Sequence, residues 1–350
     1  MEFRKLGRTD LKVSSICLGT MTYGEQNTEA EGHAQMDMAL DHDINFFDTA
    51  ELYSIPPKAE TAGRTEEIIG TWFKERGNRD KVILATKVVG RTESTYFRRD
   101  GSQARLNRAQ IFEAVERSLQ RLQTDYIDLY QLHWPDRNVT QFGANPMVYR
   151  EPAKAEDEVS IAETLDALQD VVKSGKVRHI GLSNESAWGT MSFVNEAEKA
   201  GLPRVQSIQN GYSLVNRTFE VGLAEIAMRE DVGLLAYSSL AQGYLTGKYR
   251  NGALPTGSRK ALFNRLQRYE GAGAEIAVNA YLDLAEELGV DPSVLALGFA
   301  HTRPFVTSVI IGATTLDQLK TDISAADFQM SDEIEKRINA IHLLHANPCP

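Results

Sequence analysis

The chain has 350 residues, 42% of them hydrophobic and 25% charged, which are ordinary values for a globular protein. A formal net charge of −10 and a sequence pI of about 5.3 argue against nucleic acid or an anionic membrane surface as the main partner. Its two cysteines, Cys17 in an apolar run and Cys349 beside the terminus, suggest neither a disulfide framework nor a zinc site, but a buried thiol and a frayed tail. The N-terminal segment lacks a signal-peptide core and no window approaches a membrane span, so the expected setting is cytoplasmic.

In chain order, Phe3–Leu6 and Leu11–Val13 flank a turn and predict a short hairpin. Ile16–Leu18 is a first inner strand, Ala30–Asp41 a helix and Ile44–Phe47 a second strand. The helix Thr65–Lys74 follows a polar loop. Then come strand Val82–Thr86, helix Arg108–Leu122, strand Tyr126–Leu132, helix Ile161–Lys173 and strand Val177–Leu182. Helix Ala187–Lys199, strand Val205–Ile208, helix Phe219–Arg229 and strand Gly233–Ala236 continue the alternation. Helices Gly273–Leu288 and Pro292–His301, strand Ser308–Ile311, helix Leu316–Ala325 and a terminal helix Ser331–Ile341 complete it. Strands alternating with helices, and no linker between halves, predict one α/β domain over residues 1–350: a (β/α)8 TIM barrel with an N-terminal hairpin and a C-terminal helix. A doubly wound sheet would carry a glycine-rich phosphate loop after its first strand, and the sequence there, GTMTYGEQ, does not match GxGxxG. Loops 134–159 and 239–272 exceed the ~12–15 residues of ordinary connections, and both follow strands at the face where barrel chemistry sits. They are expected to wall a pocket.

Four ionisable residues stand at or just beyond the ends of successive predicted strands. Asp48 closes NFFD and is followed by Tyr53; Lys87 follows VILAT; His133 follows DLYQL. A lysine at the end of a buried strand needs a partner, and Asp48, one strand over, supplies it. The pair beside a phenol is expected to lower the Tyr53 pKa from its reference of ~10. A histidine across from it can hydrogen-bond both the phenol and a carbonyl oxygen. This set suits proton exchange with a carbonyl or alcohol oxygen. No clustered metal ligands accompany it.

With these residues the chain resembles the aldo-keto reductase superfamily, and within it the bacterial Tas-like branch. The likeness runs from LGTMTYGEQ to VIIGATTLDQL, nearly end to end. It implies that Asp48, Tyr53, Lys87 and His133 form the catalytic tetrad, with Tyr53 as general acid. It also implies NADPH, rather than NADH, lying extended across the barrel mouth. By the same resemblance Gly19, Thr20 and Met21 border the cofactor, Ser183, Asn184 and Gln209 hold its carboxamide, and Tyr237 stacks on its ring. Ser238, Leu240, Lys248 and Arg259 match the segment over the phosphates, with Lys320 a further candidate. Gly312, Thr314, Gln318 and Asp322 match the adenosine pocket. The family usually has Asn at this last position, and a carboxylate there could accept but not donate.

The substrate is expected to be a small aldehyde or ketone, walled by Met21, Tyr53, Tyr23, Trp134 and the two long loops. A homo-oligomer is possible on the sequence. Rival readings are a nicotinamide-binding sensor or regulatory subunit with little turnover, and a different barrel enzyme such as a sugar-phosphate isomerase or metal-dependent hydrolase.

Overall fold

Chain order and spatial order coincide in the computed structural model, which describes residues 1–139, 147–265, 267–271 and 273–350. The antiparallel pair β1 (Phe3–Lys5) and β2 (Lys12–Ser14) comes first. Eight parallel strands follow: β3 (Ile16–Gly19), β4 (Phe46–Asp48), β5 (Ile83–Val88), β6 (Ile127–Leu132), β7 (Val177–Ser183), β8 (Val205–Gly211), β9 (Gly233–Tyr237) and β10 (Val306–Ile311). β10 pairs with β3 and closes the sheet. Around it run α1 (Glu29–Asp41), α2 (Arg64–Arg76), α3 (Arg108–Leu122), α4 (Ile161–Lys173), α5 (Ala187–Ala200), α6 (Leu223–Glu230), α7 (Arg259–Phe263), α8 (Ala274–Leu288), α9 (Pro292–His301) and α10 (Leu316–Ser324), with α11 (Asp332–Leu344) at the end. This is the (β/α)8 barrel that the alternation predicts.

Helix ends follow local chemistry. The hydroxyl of Thr28 and the carboxylate of Glu31 form a capping box on α1. Asn107 and Ser160 cap α3 and α4, and Asp291 caps α9 with Pro292 at its first position. Predicted Phe219–Arg229 is instead a 3-10 turn, Thr218–Val221, and α6, separated at Gly222.

The barrel interior is apolar at one end and polar at the other. Leu6 and Val13 of the hairpin are fully buried and pack with Cys17, Phe46, Ala85, Leu129 and Leu235. Together they plug the amino-terminal end of the strands. Two residues further along three of these strands stand Asp48, Lys87 and Gln131, on the same inward face by the two-residue period of a strand. The chemistry-bearing layer therefore opens only at the carboxyl end.

Two expectations about ends are corrected. β4 begins two residues later than predicted and includes Asp48, and β5 extends through Lys87, because polar side chains that bond inside the barrel continue a strand where hydropathy stops. The C-terminal tail is docked, not frayed: Cys349 is 1% exposed and its amide donates to the Val215 carbonyl at 3.1 Å. Loop 239–272 holds 3-10 turns at Ala241–Thr246, Arg250–Gly252 and Gln267–Tyr269 besides α7. In loop 134–159, residues 140–146 lie outside the described residues. Among the described residues no helix is long and apolar enough to cross a membrane.

Candidate active site

Adjacent strands β4 and β5 place Asp48 opposite Ala85, and that register brings Lys87 against the aspartate. Lys87 is wholly buried and uses all three of its protons: Nζ donates to Asp48 Oδ2 at 2.6 Å, to the Thr49 carbonyl at 2.8 Å and to the Tyr53 hydroxyl at 3.4 Å. Burial works against charge on this lysine, but Asp48 and then Tyr53 outweigh it, and its pKa lies above the ordinary lysine value. His133 stands edge-on to the Tyr53 ring, with centroids 5.7 Å apart. Burial and then Lys87 push the His133 pKa well below its ordinary value, so the imidazole is neutral near pH 7. Its Nδ1 is buried and has no hydrogen-bond partner among the described residues.

The expectation for Tyr53 is corrected in sign. Burial raises its pKa above the ordinary phenol value; Lys87 opposes this without overturning it, and Asp48 adds to it. The Coulomb pull of the ammonium is real, but desolvating a phenolate costs more. At neutral pH Tyr53 is a loaded acid.

Supporting contacts hold the set. Thr20 donates its hydroxyl to the Asp48 carbonyl at 2.8 Å, so it fixes the strand end. Glu51 and Arg98, both nearly unexposed, pair at 3.1 Å, and Glu51 also accepts the Val89 amide at 2.7 Å. That pair ties the Tyr53 segment to the end of β5. Sequence reasoning missed it; the only signal was two charges in loops. Trp134 lies beside His133 with ring centroids 4.9 Å apart, and its indole donates to the Arg91 carbonyl at 2.7 Å. Tyr23, expected in the pocket wall, is elsewhere. It is 0% exposed, its hydroxyl meets Gln35 Oε1 at 3.2 Å, and a Cβ on Gly32 would lie 3.1 Å from its ring. The ring packs toward α1 because an apolar side chain leaving β3 is buried better under the helices than at the mouth.

Asn184 and Ser238, just beyond β7 and β9, have left-handed backbones with φ of 53° and 56°. Asn184 accepts from the Tyr237 hydroxyl at 2.6 Å and donates to the His133 carbonyl at 2.9 Å and to Ser183 Oγ at 3.1 Å. Gln209 donates Nε2 to Asp48 Oδ1 at 2.8 Å, while among the described residues nothing donates to its Oε1. At Gly19 a Cβ would lie 2.9 Å from the Ile311 carbonyl, so only glycine lets β3 and β10 close there. A Cβ on Gly312 would reach nothing nearer than the Gly19 carbonyl at 4.0 Å. Gln318 accepts from the Thr314 amide and hydroxyl, each at 3.0 Å. Leu240 packs against the core, and Lys320 is exposed.

The loop after β9 is the cationic part of an acidic protein. No Asp or Glu occurs from Val232 to Tyr269, while Lys248, Arg250, Arg259, Lys260, Arg265 and Arg268 do. Arg250 pairs with Asp283 and Lys260 with Glu270. Lys248, Arg259, Arg265 and Arg268 have no carboxylate partner among the described residues. Arg259 reaches Met21 Sδ at 3.9 Å, and burial, then Arg265, lower its pKa. Arg259 is held largely out of water with no carboxylate beside it, which is costly unless an anion meets it. A free carboxamide acceptor on Gln209 and this unmatched charge fit a nicotinamide dinucleotide carrying phosphates.

Asp322, on the buried face of α10, is 3% exposed. Burial, then Asp291 at the α9 cap, push its pKa up to about 8, with Lys248 opposing. It is therefore protonated at neutral pH and can donate as well as accept, like an asparagine, which revises the expectation drawn from its charge. Because the folded value lies above the unfolded value of ~3.9, its share of stability is full below that pH and is lost as pH rises through about 8. Asp322→Asn should raise the melting temperature by several degrees at pH 8 and leave it unchanged at pH 4. Equal melting curves at pH 8 would show that Asp322 is not held neutral.

Fold and site together define an oxidoreductase built on an α/β barrel. Residues 15–342 match the aldo/keto reductase family model, and the chain belongs to that family. It is 47% identical to "Protein tas" of Escherichia coli over the full length of both chains, which sets it in a bacterial Tas-like branch. "Uncharacterized oxidoreductase YrpG" of Bacillus subtilis is 37% identical over 97% of this chain and 96% of its own length. "Probable voltage-gated potassium channel subunit beta" of Arabidopsis thaliana is 30% identical over 93% of this chain and 92% of its own.

Proposed function

We propose that the protein reduces aldehydes and ketones to alcohols with NADPH, with Tyr53 as general acid. The observation that carries this is the Lys87 ammonium seated between Asp48 and the Tyr53 hydroxyl, beside a neutral His133. When bound, the cofactor supplies the hydride. Tyr53 gives its proton to the carbonyl oxygen as negative charge develops there, and Lys87 stabilises the phenolate left behind. Neutral His133 donates a hydrogen bond to the same oxygen and orients it. Gln209 Oε1 and the Ser183–Asn184 pair would hold the carboxamide, Tyr237 would stack on the ring, and the unpaired cations of the β9 loop would meet the phosphates. Four such cations favour NADPH over NADH, since the 2′-phosphate adds negative charge.

The family likeness to proteins named as potassium channel β subunits supports a second reading, a nicotinamide-binding regulatory subunit with little turnover. Fluorescence titration with NADPH and with NADH, followed by turnover of an aromatic aldehyde at 340 nm, separates the two. Tighter NADPH binding with turnover is the expected result. Binding without turnover over a broad carbonyl panel would favour the regulatory reading, and no binding of either nucleotide would overturn both.

A further inference from the structure

Gln131, next to the carboxyl end of β6, is fully buried, and it sits in the same layer as Asp48 and Lys87. Its Nε2 donates to Asp48 Oδ1 at 3.2 Å, and its Oε1 accepts from Gln209 Nε2 at 3.2 Å. Asp48 only accepts, so both amides must turn their nitrogens toward it, and Gln131 is left with its oxygen for Gln209. The network thus admits one orientation of each amide. Across the β6–β7 pairing Gln131 faces Gly181, where a Cβ would come within 3.3 Å of Gln131 Cγ. The barrel leaves room for this side chain.

We propose that Gln131 is a positioning residue for the carbonyl chemistry, fixing Asp48 by its second oxygen and orienting Gln209 beside it. The Asp48 carboxylate then has two amides on Oδ1 and the Lys87 ammonium on Oδ2, and it cannot rotate. The amides also offset part of its charge. This matters because Asp48 acts against ionisation of Tyr53 while Lys87 favours it, and the balance sets how readily the proton is given up. Gln209 links the same network to the carboxamide site, so the cofactor and the proton donor are held by one frame. The kinetic consequence rests on the reductase assignment above; the electrostatic one does not.

Gln131→Met keeps length and volume and removes the amide. Losing a hydrogen bond to a charged group is expected to lower kcat by about tenfold, with KM for the carbonyl within about twofold. In the Asp48→Asn background the same substitution should add little. Tyr53 ionisation, read as tyrosinate absorbance relative to a matched Tyr53→Phe protein, should move to higher pH in Gln131→Met. Gln131→Glu provides rescue: kcat approaches the wild-type value at low pH, where the new carboxyl is protonated and can donate, and falls as it ionises. An unmoved Tyr53 ionisation, a loss fully additive with Asp48→Asn, or the absence of a new limb in the Gln131→Glu profile would overturn the proposal. If Gln131→Met does not fold, the Gln131→Glu profile and its Tyr53 ionisation decide alone. If the wild type turns over no carbonyl, the reductase assignment fails, and the ionisation measurement still decides whether Gln131 positions Asp48.

Discussion

On the proposed function, Tyr53→Phe is expected to lower kcat by about 100- to 10,000-fold while nucleotide affinity and the melting temperature stay near wild type. The substitution deletes one hydroxyl and keeps the ring that stands edge-on to His133. Lys87 loses only its longest hydrogen bond, at 3.4 Å, and retains Asp48 and the Thr49 carbonyl. The fold therefore has little reason to respond. The chemical step does, because the hydroxyl removed is the proton donor that Lys87 touches, and His133, held neutral, is a weaker acid than a phenol. Because burial raises the Tyr53 pKa, reduction should be steady through neutral pH, whereas alcohol oxidation, which needs phenolate, should quicken as pH rises. Activity of Tyr53→Phe within a few-fold of wild type, with a correctly folded protein, would remove Tyr53 from the role of general acid.

Lys87→Met is the second large effect, and it falls on stability as well as rate. Removing one member of a buried pair leaves the other charge uncompensated, at a cost of about 3–5 kcal/mol. Here the side chains of Lys87 and Asp48 are 0% and 4% exposed. Gln131 and Gln209 still donate to Asp48 Oδ1, so the lower end of that range is expected. The double variant Lys87→Met/Asp48→Asn should regain most of the lost stability and none of the activity. Denaturant unfolding of the two variants beside wild type measures the first part, and turnover the second. A single variant as stable as wild type would mean that the pair contributes nothing to holding the barrel mouth.

How the site could be read in advance differs from residue to residue. Asp48, Lys87 and His133 were legible because each interrupts or ends an apolar run, and a charge in that place demands a reason. Gln131 was not, since an uncharged amide in DLYQL passes for a strand residue until its partners are seen. Tyr23 misled for the opposite reason: its place just after a strand end says nothing about whether the ring turns to the mouth or under α1. The sign of the Tyr53 shift was also out of reach, because it depends on how deeply the phenol is desolvated.

By itself the sequence determined those features that chain neighbours control. The bounds of α3, α4 and α9 agree with the prediction to the residue, because Asn107, Ser160 and Asp291–Pro292 cap them locally. The eight strand–helix units follow from hydropathy alone, and with them the barrel. Tertiary structure decided what depends on distant groups meeting in a medium from which water is excluded. It extended β4 and β5 through Asp48 and Lys87, joined Asp48 to Gln131 and Gln209, docked the tail at Val215, and protonated Asp322. Each of these is an interaction across strands or helices whose strength is set by burial, and burial is a property of the folded chain.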